Sequence, residues 1–126
     1  MTNELEPFAW HVTRDQIRAY AEASGDHNPI HLDDNAARAA GLPGVIAHGM
    51  LGMAQLANFV VAYAGDHRRL RRLRCRFSGM VVPGDTITFT GRVVGEEDGV
   101  VSLELNAENQ KGERVLTKAS AELRKG

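Results

Sequence analysis

Cysteine is nearly absent: Cys75 stands alone, so no internal disulfide is open to this chain, and no paired cysteines are spaced for zinc. That usage suits a reducing compartment, and the expectation is a cytoplasmic protein. Excess charge of either sign is also missing, with a formal net charge of -1. Such a balance does not favour nucleic acid or an anionic membrane surface as the main partner, although a local basic patch can still hold a small phosphate group. The N-terminus, MTNELEPFAW, has acids where a secretion signal would place basic residues before an apolar run, so no targeting segment is read there. A membrane-spanning run is lacking as well. The longest apolar stretch, Met50 to Ala64, contains Gln55 and Asn58 and falls short of the ~20 residues a span requires.

What is present is the composition of an ordinary globular chain, 126 residues with 43% hydrophobic and 25% charged. One domain over 1–126 is expected, with no repeat, linker or low-complexity segment dividing it. The first half reads as helical. Thr13 can cap a helix over Arg14 to Ala23, in which Ile17, Tyr20 and Ala21 form an apolar stripe that Gly25 ends. Asp33 or Asp34 can cap a short helix through Ala40, before Gly41, Pro43 and Gly44 break the chain. A helix from Met50 to about Tyr63 follows, apolar on nearly every side, and such a helix must be enclosed by other structure.

After about residue 65 the pattern changes to alternation with period two, in four runs separated by turn signals. Leu73, Cys75 and Phe77 oppose Arg72, Arg74 and Arg76; Ile87, Phe89 and Val93 oppose Thr86, Thr88, Thr90 and Arg92. Val101, Leu103, Leu105 and Ala107 form a third inward row, and Val115, Thr117, Ala119, Ala121 and Leu123 a fourth. Turns at Pro83-Gly84, Asp98-Gly99 and Lys111-Gly112 are short enough to join antiparallel strands. The fold class is therefore α+β, a curved antiparallel sheet wrapped around a long central helix.

Chemistry concentrates in two short segments. SGDHNPIH, Ser24 to His31, sets Asp26 and His31 five positions apart across Pro29, a spacing that does not share a helix face and that proline takes out of helical geometry. Asn28 lies between them as a short amide able to brace the turn. Two readings follow. A rigid loop can aim an acid and an imidazole at one point for general acid-base work; alternatively, Asp26 caps the turn and His31 packs nearby. The second segment, VIAHGM, ends at the start of the central helix, whose unpaired N–H groups can stabilise a developing oxyanion. Gly49 there either admits a carbonyl close to its backbone amide or permits close packing of helix on sheet. His48 reads as a structural hydrogen-bonding residue. A metal set drawn from His27, His31, His48, Asp33 and Asp34 is not favoured, because Pro29 breaks the helical spacing of His27 and His31. The basic run HRRLRRLRCR reads as a strand with a solvated face, or as a source of phosphate contacts from Arg68, Arg69, Arg71 or Arg72.

Taken together, YAEASGDHNPIHLDDNAARAAG and GVIAHGM resemble the hydratase-2 motif of the MaoC-like, (R)-specific enoyl-thioester hydratase and dehydratase family, and RFSGMVVPGDTITFTGRV resembles that family's strand, turn and strand. The resemblance covers nearly the whole chain from Thr13 onward. It implies a hot-dog fold, with Asp26 and His31 acting on a water that adds to, or leaves from, the β-carbon of an acyl thioester. It further implies that Gly49 donates its N–H to the thioester oxygen, that Asn28 holds the loop and its water, and that His48 supports the site. An acyl-CoA or acyl-carrier-protein thioester would be the substrate, with no cofactor and no metal. Pairing as a homodimer, or as a heterodimer with a related hot-dog chain, is expected. Thioester hydrolysis and a non-catalytic, partner-dependent subunit are the alternatives. Some members carry a serine further along the central helix; Ala57 and Asn58 stand there in this chain.

Overall fold

The computed structural model describes residues 3–126; Met1 and Thr2, the first part of the N-terminal segment read above, lie outside the described residues. In chain order the elements are β1 (Phe8–His11), α1 (Arg14–Ser24), α2 (Asp34–Ala39), α3 (Gly49–Ala64), β2 (Leu70–Phe77), β3 (Thr86–Glu97), β4 (Val100–Glu108) and β5 (Arg114–Arg124). Short 3-10 turns occupy Pro29–His31 and His67–Arg69. Every strand pairing is antiparallel, in the spatial order β1-β3-β4-β5-β2. This is the α+β, sheet-around-helix arrangement of a hot-dog fold. Among the described residues no helix is long and apolar enough to cross a membrane.

Local sequence explains the element ends. The Thr13 hydroxyl accepts from the Gln16 N–H while the Gln16 side chain accepts from the Thr13 N–H, a capping box that starts α1. Gly25, at φ 77°, stops it in the left-handed conformation that glycine adopts without a Cβ clash. Asp98 and Gly99 both take positive φ, 52° and 77°, the requirement of a two-residue turn whose twist matches the β3–β4 hairpin.

The inner face of the sheet and one side of α3 make the core. Leu56, Phe59 and Val60 of α3 belong to one buried cluster with Ile87, Phe89, Leu103 and Leu123 of the strands. Phe89 stacks between Phe8 and Phe59 at centroid separations of 6.1 and 6.0 Å. Removing a side chain of this size from water contributes about 1.5–3 kcal/mol.

Four features differ from the sequence reading. Strand β1 was not anticipated, because four residues are too few to display a period; its pairing with β3 makes it a strand. The expected inward row of β5 breaks at Lys118, which has φ 49°. There β4 pairs Leu105 with Ala119 but Ala107 with Leu116, so β5 holds an extra residue, and Val115 and Leu116 are both buried while Thr117 is half-buried. Phe77, expected to face inward, ends β2 with an exposed ring. Finally, α3 is enclosed on one side only: Leu51, Gly52, Leu56, Phe59, Val60 and Ala64 are buried, whereas Met50, Ala54 and Ala62 are exposed and Ala57 and Val61 half-buried.

Candidate active site

The SGDHNPIH loop is built from nested local bonds. After Gly25 turns the chain, the Ser24 hydroxyl accepts from the Asp26 N–H (3.2 Å) and Asp26 Oδ1 accepts from the Asn28 N–H (3.2 Å). Asn28 in turn caps the 3-10 turn at Pro29–His31, its side-chain oxygen accepting from the Ile30 N–H. The turn-capping reading of Asp26 is therefore correct as local structure. It occupies only one carboxylate oxygen, and Oδ2 has no partner among the described residues. One atom braces the loop while the other stays available.

The second motif is bonded to the first through its backbone. The Ile46 N–H donates to the Ile30 carbonyl (3.1 Å), and the Ile46 carbonyl accepts from His31 Nδ1 at 2.7 Å. A carbonyl can only accept, so the proton sits on Nδ1 and the Nε2 of a neutral His31 carries the lone pair. His48, the N-cap residue of α3, donates from Nε2 to the Asp26 carbonyl at 3.0 Å. Its ring lies face to face with His31, centroids 3.8 Å apart and planes 22° apart, and Tyr20 tilts against it at 4.8 Å. His48 is 3% exposed and His31 9%. Nδ1 of His48 is buried with no hydrogen-bond partner among the described residues.

One atom each from Asp26, His31 and His48 fall within 4.8 Å of one another. The grouping invites a metal, but the ring geometry opposes it. A nitrogen lone pair lies in its ring plane, and zinc sits about 2.0–2.1 Å from the nitrogen. Two rings stacked nearly parallel, with centroids 3.8 Å apart, do not aim their lone pairs at one ion at that distance. The remaining members of the metal set are spent elsewhere: His27 bonds Glu22 and the Gly25 carbonyl, Asp33 caps α2, and Asp34 bonds Val45 and Arg14. Most of the arginines nominated for phosphate contacts are engaged within the fold. Arg68 pairs with Asp66, Arg69 donates to the carbonyls of Ala64 and Arg124, and Arg71 pairs with Glu122, so of those nominated only Arg72 lacks a partner among the described residues. Cys75 is half-buried, which pushes its thiol up and away from thiolate chemistry.

The Asp26–His31–His48 group opens into a cleft of about 470 Å³ that also includes Tyr20, Ser24, Gly49, Met50 and Phe77. Gly49 begins α3, and His48 supplies no side-chain cap; the Leu51 and Gly52 N–H groups donate to the His48 carbonyl, while the amides of Gly49 and Met50, two residues that line this cleft, have no partner among the described residues. On the other side of Gly49 lies an apolar cavity of about 180 Å³, walled by Trp10, Met80, Ile87, Phe89, Val115 and Leu116 among others. His48, Gly49 and Phe77 line both spaces. A Cβ on Gly49 would come 3.3 Å from the Phe77 ring, so the packing reading of this glycine also holds. Phe77 escaped the sequence reading because nothing local marks it; its position comes from long-range pairing of β2 with β5.

Asp34, read from the sequence only as a helix cap or a metal candidate, has another role. Its Oδ1 accepts from the Val45 N–H (2.9 Å) and its Oδ2 from Arg14 (2.8 Å), tying α2 to the segment that leads into α3. Gly44 makes room for this, since a Cβ there would stand 3.0 Å from Asp34 Oδ1. The Val45 N–H, followed by Arg14, holds the Asp34 carboxyl below its ordinary value of 3.8. With the folded value the lower one, the tie is fully stabilising above about pH 4 and is lost as pH falls through the folded value. Hydrogen-exchange protection of the Val45 amide should fall on acidification below about pH 4, and Asp34→Asn should abolish that dependence. Constant protection of Val45 through the same titration in the unaltered protein would show that the tie is not what holds this segment.

Comparison with known proteins bears on the fold and the family. The family model described as MaoC like domain matches residues 4–114. The fatty acid synthase beta subunit TOXC of Cochliobolus carbonum is 38% identical over 101 residues, which is 78% of this chain but 5% of that subunit. A solved MaoC-like dehydratase superposes with a TM-score of 0.93 at 32% identity, covering 100% of this chain and 40% of its own. The unliganded R-hydratase PhaJ1 from Pseudomonas aeruginosa gives a TM-score of 0.86 at 25% identity, covering 98% of this chain and 80% of its own. With the family model spanning both motifs and most of the sheet, the chain belongs to the MaoC-like dehydratase and hydratase family.

Proposed function

We propose that residues 1–126 form one hot-dog domain that interconverts a trans-2-enoyl thioester and a (3R)-3-hydroxyacyl thioester. The observation that carries this reading is the convergence of Asp26, His31 and His48 within 4.8 Å beside the open N-terminus of α3. In hydration, Asp26 Oδ2 and His31 Nε2 hold one water. His31 Nε2 accepts its proton as the oxygen bonds to the β-carbon, the π electrons move onto the thioester oxygen, and the Gly49 N–H stabilises that charge. The proton then returns to the α-carbon, so the elements of one water are added and the site is restored. Dehydration runs the same steps backwards. Asn28 and His48 hold Asp26 in place, through its side chain and its carbonyl respectively. The apolar cavity behind Gly49 suits an acyl tail, leaving the CoA or carrier-protein arm in the open cleft.

The direct assay is incubation with crotonyl-CoA, following loss of the enoyl absorbance. Hydration to the 3-hydroxyacyl product is the expected result. Release of free thiol instead would point to thioester hydrolysis, and no turnover on CoA or carrier-protein substrates of several chain lengths would remove the proposal. A partner-dependent reading has an observation of its own. Met50 and Phe77, at the rim of the cleft, are 54% and 51% exposed, as is Tyr63 at 46% further along α3. Activity arising only on addition of a second chain would support it.

A further inference from the structure

Past Gly49, α3 carries a second glycine, Gly52, and it is buried. It stands in one row of the helix with Leu56 and Val60, at i, i+4 and i+8, and both of those fill the core. A side chain like theirs is what the row calls for. Glycine inside a helix is also less stable than alanine, because it gives up more backbone freedom on folding. Neither usual reason for a glycine holds here. Gly52 has no positive φ. A Cβ on it would meet nothing within 4 Å among the described residues outside its own helix backbone, whereas one on Gly49 would come 3.3 Å from the Phe77 ring and one on Gly91 2.9 Å from the Leu105 side chain.

A buried position with open space in place of its side chain faces a cavity. Gly52 lines the apolar cavity of about 180 Å³ behind Gly49. Gly79, Met80 and Val115, which take no part in the acid-histidine cleft, line both this cavity and an outer cleft of about 580 Å³. That outer cleft includes Arg38, Lys111, Glu113 and Arg114, so an alkyl chain passing Met80 would leave apolar cover and gain no further burial. For scale, a cavity of about 150 Å³ lined by leucine, isoleucine and phenylalanine takes up the six carbons of benzene.

We propose that Gly52 sets the acyl length this site takes, by holding open a bed for a medium-chain tail of about six carbons beyond the three that react. This rests on the reading of the cavity as the seat of the acyl tail. The test is the ratio of kcat/KM for trans-2-octenoyl-CoA to that for crotonyl-CoA, whose tail is a single methyl. Each buried CH₂ is worth up to about fourfold, so the four that octenoyl adds should give the unaltered protein a ratio of at least about ten. trans-2-Dodecenoyl-CoA, too long for the bed, should gain nothing more. Gly52→Leu fills the bed and should lower the octenoyl ratio at least about tenfold. Gly52→Ala should lower it by about threefold and raise Tm by about 3 °C, because its methyl enters open space and a good helix former replaces glycine. If no enoyl-CoA is hydrated, the hydration reading fails and calorimetry reads the tail instead. Octanoyl-CoA, which has no double bond to hydrate, should bind at least about tenfold more tightly than butyryl-CoA, and Gly52→Leu should erase the difference. An octenoyl ratio unchanged in folded Gly52→Leu would overturn the proposal; where that variant does not fold, an unchanged ratio in Gly52→Ala does so alone. A lower Tm for Gly52→Ala, or no preference for the longer chain in the unaltered protein, would do the same.

Discussion

Asp26→Asn and His31→Asn should each lower kcat for enoyl-thioester hydration by about 10²- to 10⁴-fold, with KM nearly unchanged and the fold intact. Both substitutions spare the local structure. An asparagine at position 26 keeps an oxygen to accept from the Asn28 N–H, and an asparagine at position 31 can place its amide where His31 Nδ1 donates to the Ile46 carbonyl. What they remove is a carboxylate charge and the Nε2 lone pair. Because both groups are assigned to one water, the double variant should be little slower than the slower single one. Circular dichroism and urea midpoints close to those of the unaltered protein would show that the loss is chemical. Rates within a few-fold of the unaltered protein for both singles would leave the pair without a catalytic role.

Gly49→Pro should cost about 10²- to 10³-fold in kcat relative to Gly49→Ala. Alanine keeps the amide hydrogen, and proline puts its ring Cδ in that place. Proline at the first position of a helix is favourable, because its missing N–H has no intrahelical partner there. Its neighbour is prepared for it: His48 has φ -62° and ψ 137°, the extended geometry that precedes proline without a clash. Alanine meets the same Phe77 ring, which is half exposed and free to shift by the few tenths of an ångström required, yet keeps its N–H. A difference between the two variants thus reports the loss of the amide donor and not the crowding of Cβ against Phe77, which both share. Equal activity in both would place the oxyanion donor elsewhere.

Much of the fold was readable because its signals are local. Thr13, Gly25 and the Asp98-Gly99 turn act within a few residues of themselves, and the alternation of β4 runs unbroken through Leu103, Leu105 and Ala107. The β5 bulge was not readable, since Lys118 adopts φ 49° with no glycine or asparagine to announce it. The same holds for the site. Asp26, Asn28 and His31 declared themselves by a proline-broken spacing and a family motif. Asp34 and Phe77 reach the site through bonds and packing across the fold, to Val45 and over Gly49, which no window of sequence displays. Open sides are equally hidden: α3 is apolar around its length, and only the finished sheet shows which part stays uncovered.

The bond from His31 Nδ1 to the Ile46 carbonyl has a genetic corollary. Where a carboxylate side chain orients a catalytic imidazole, a single codon change can delete the orienting group. Here that group is main chain, present whatever residue 46 encodes. Point mutation reaches it only by moving the backbone, for example through the Ile46 N–H bond to the Ile30 carbonyl, the Ala47 N–H bond to the Val81 carbonyl or the Asp34 bond to Val45. A saturation scan would therefore find the orientation of His31 indifferent to the side chain at position 46, proline excepted, and record the cost of disturbing His31 at residues that never touch it.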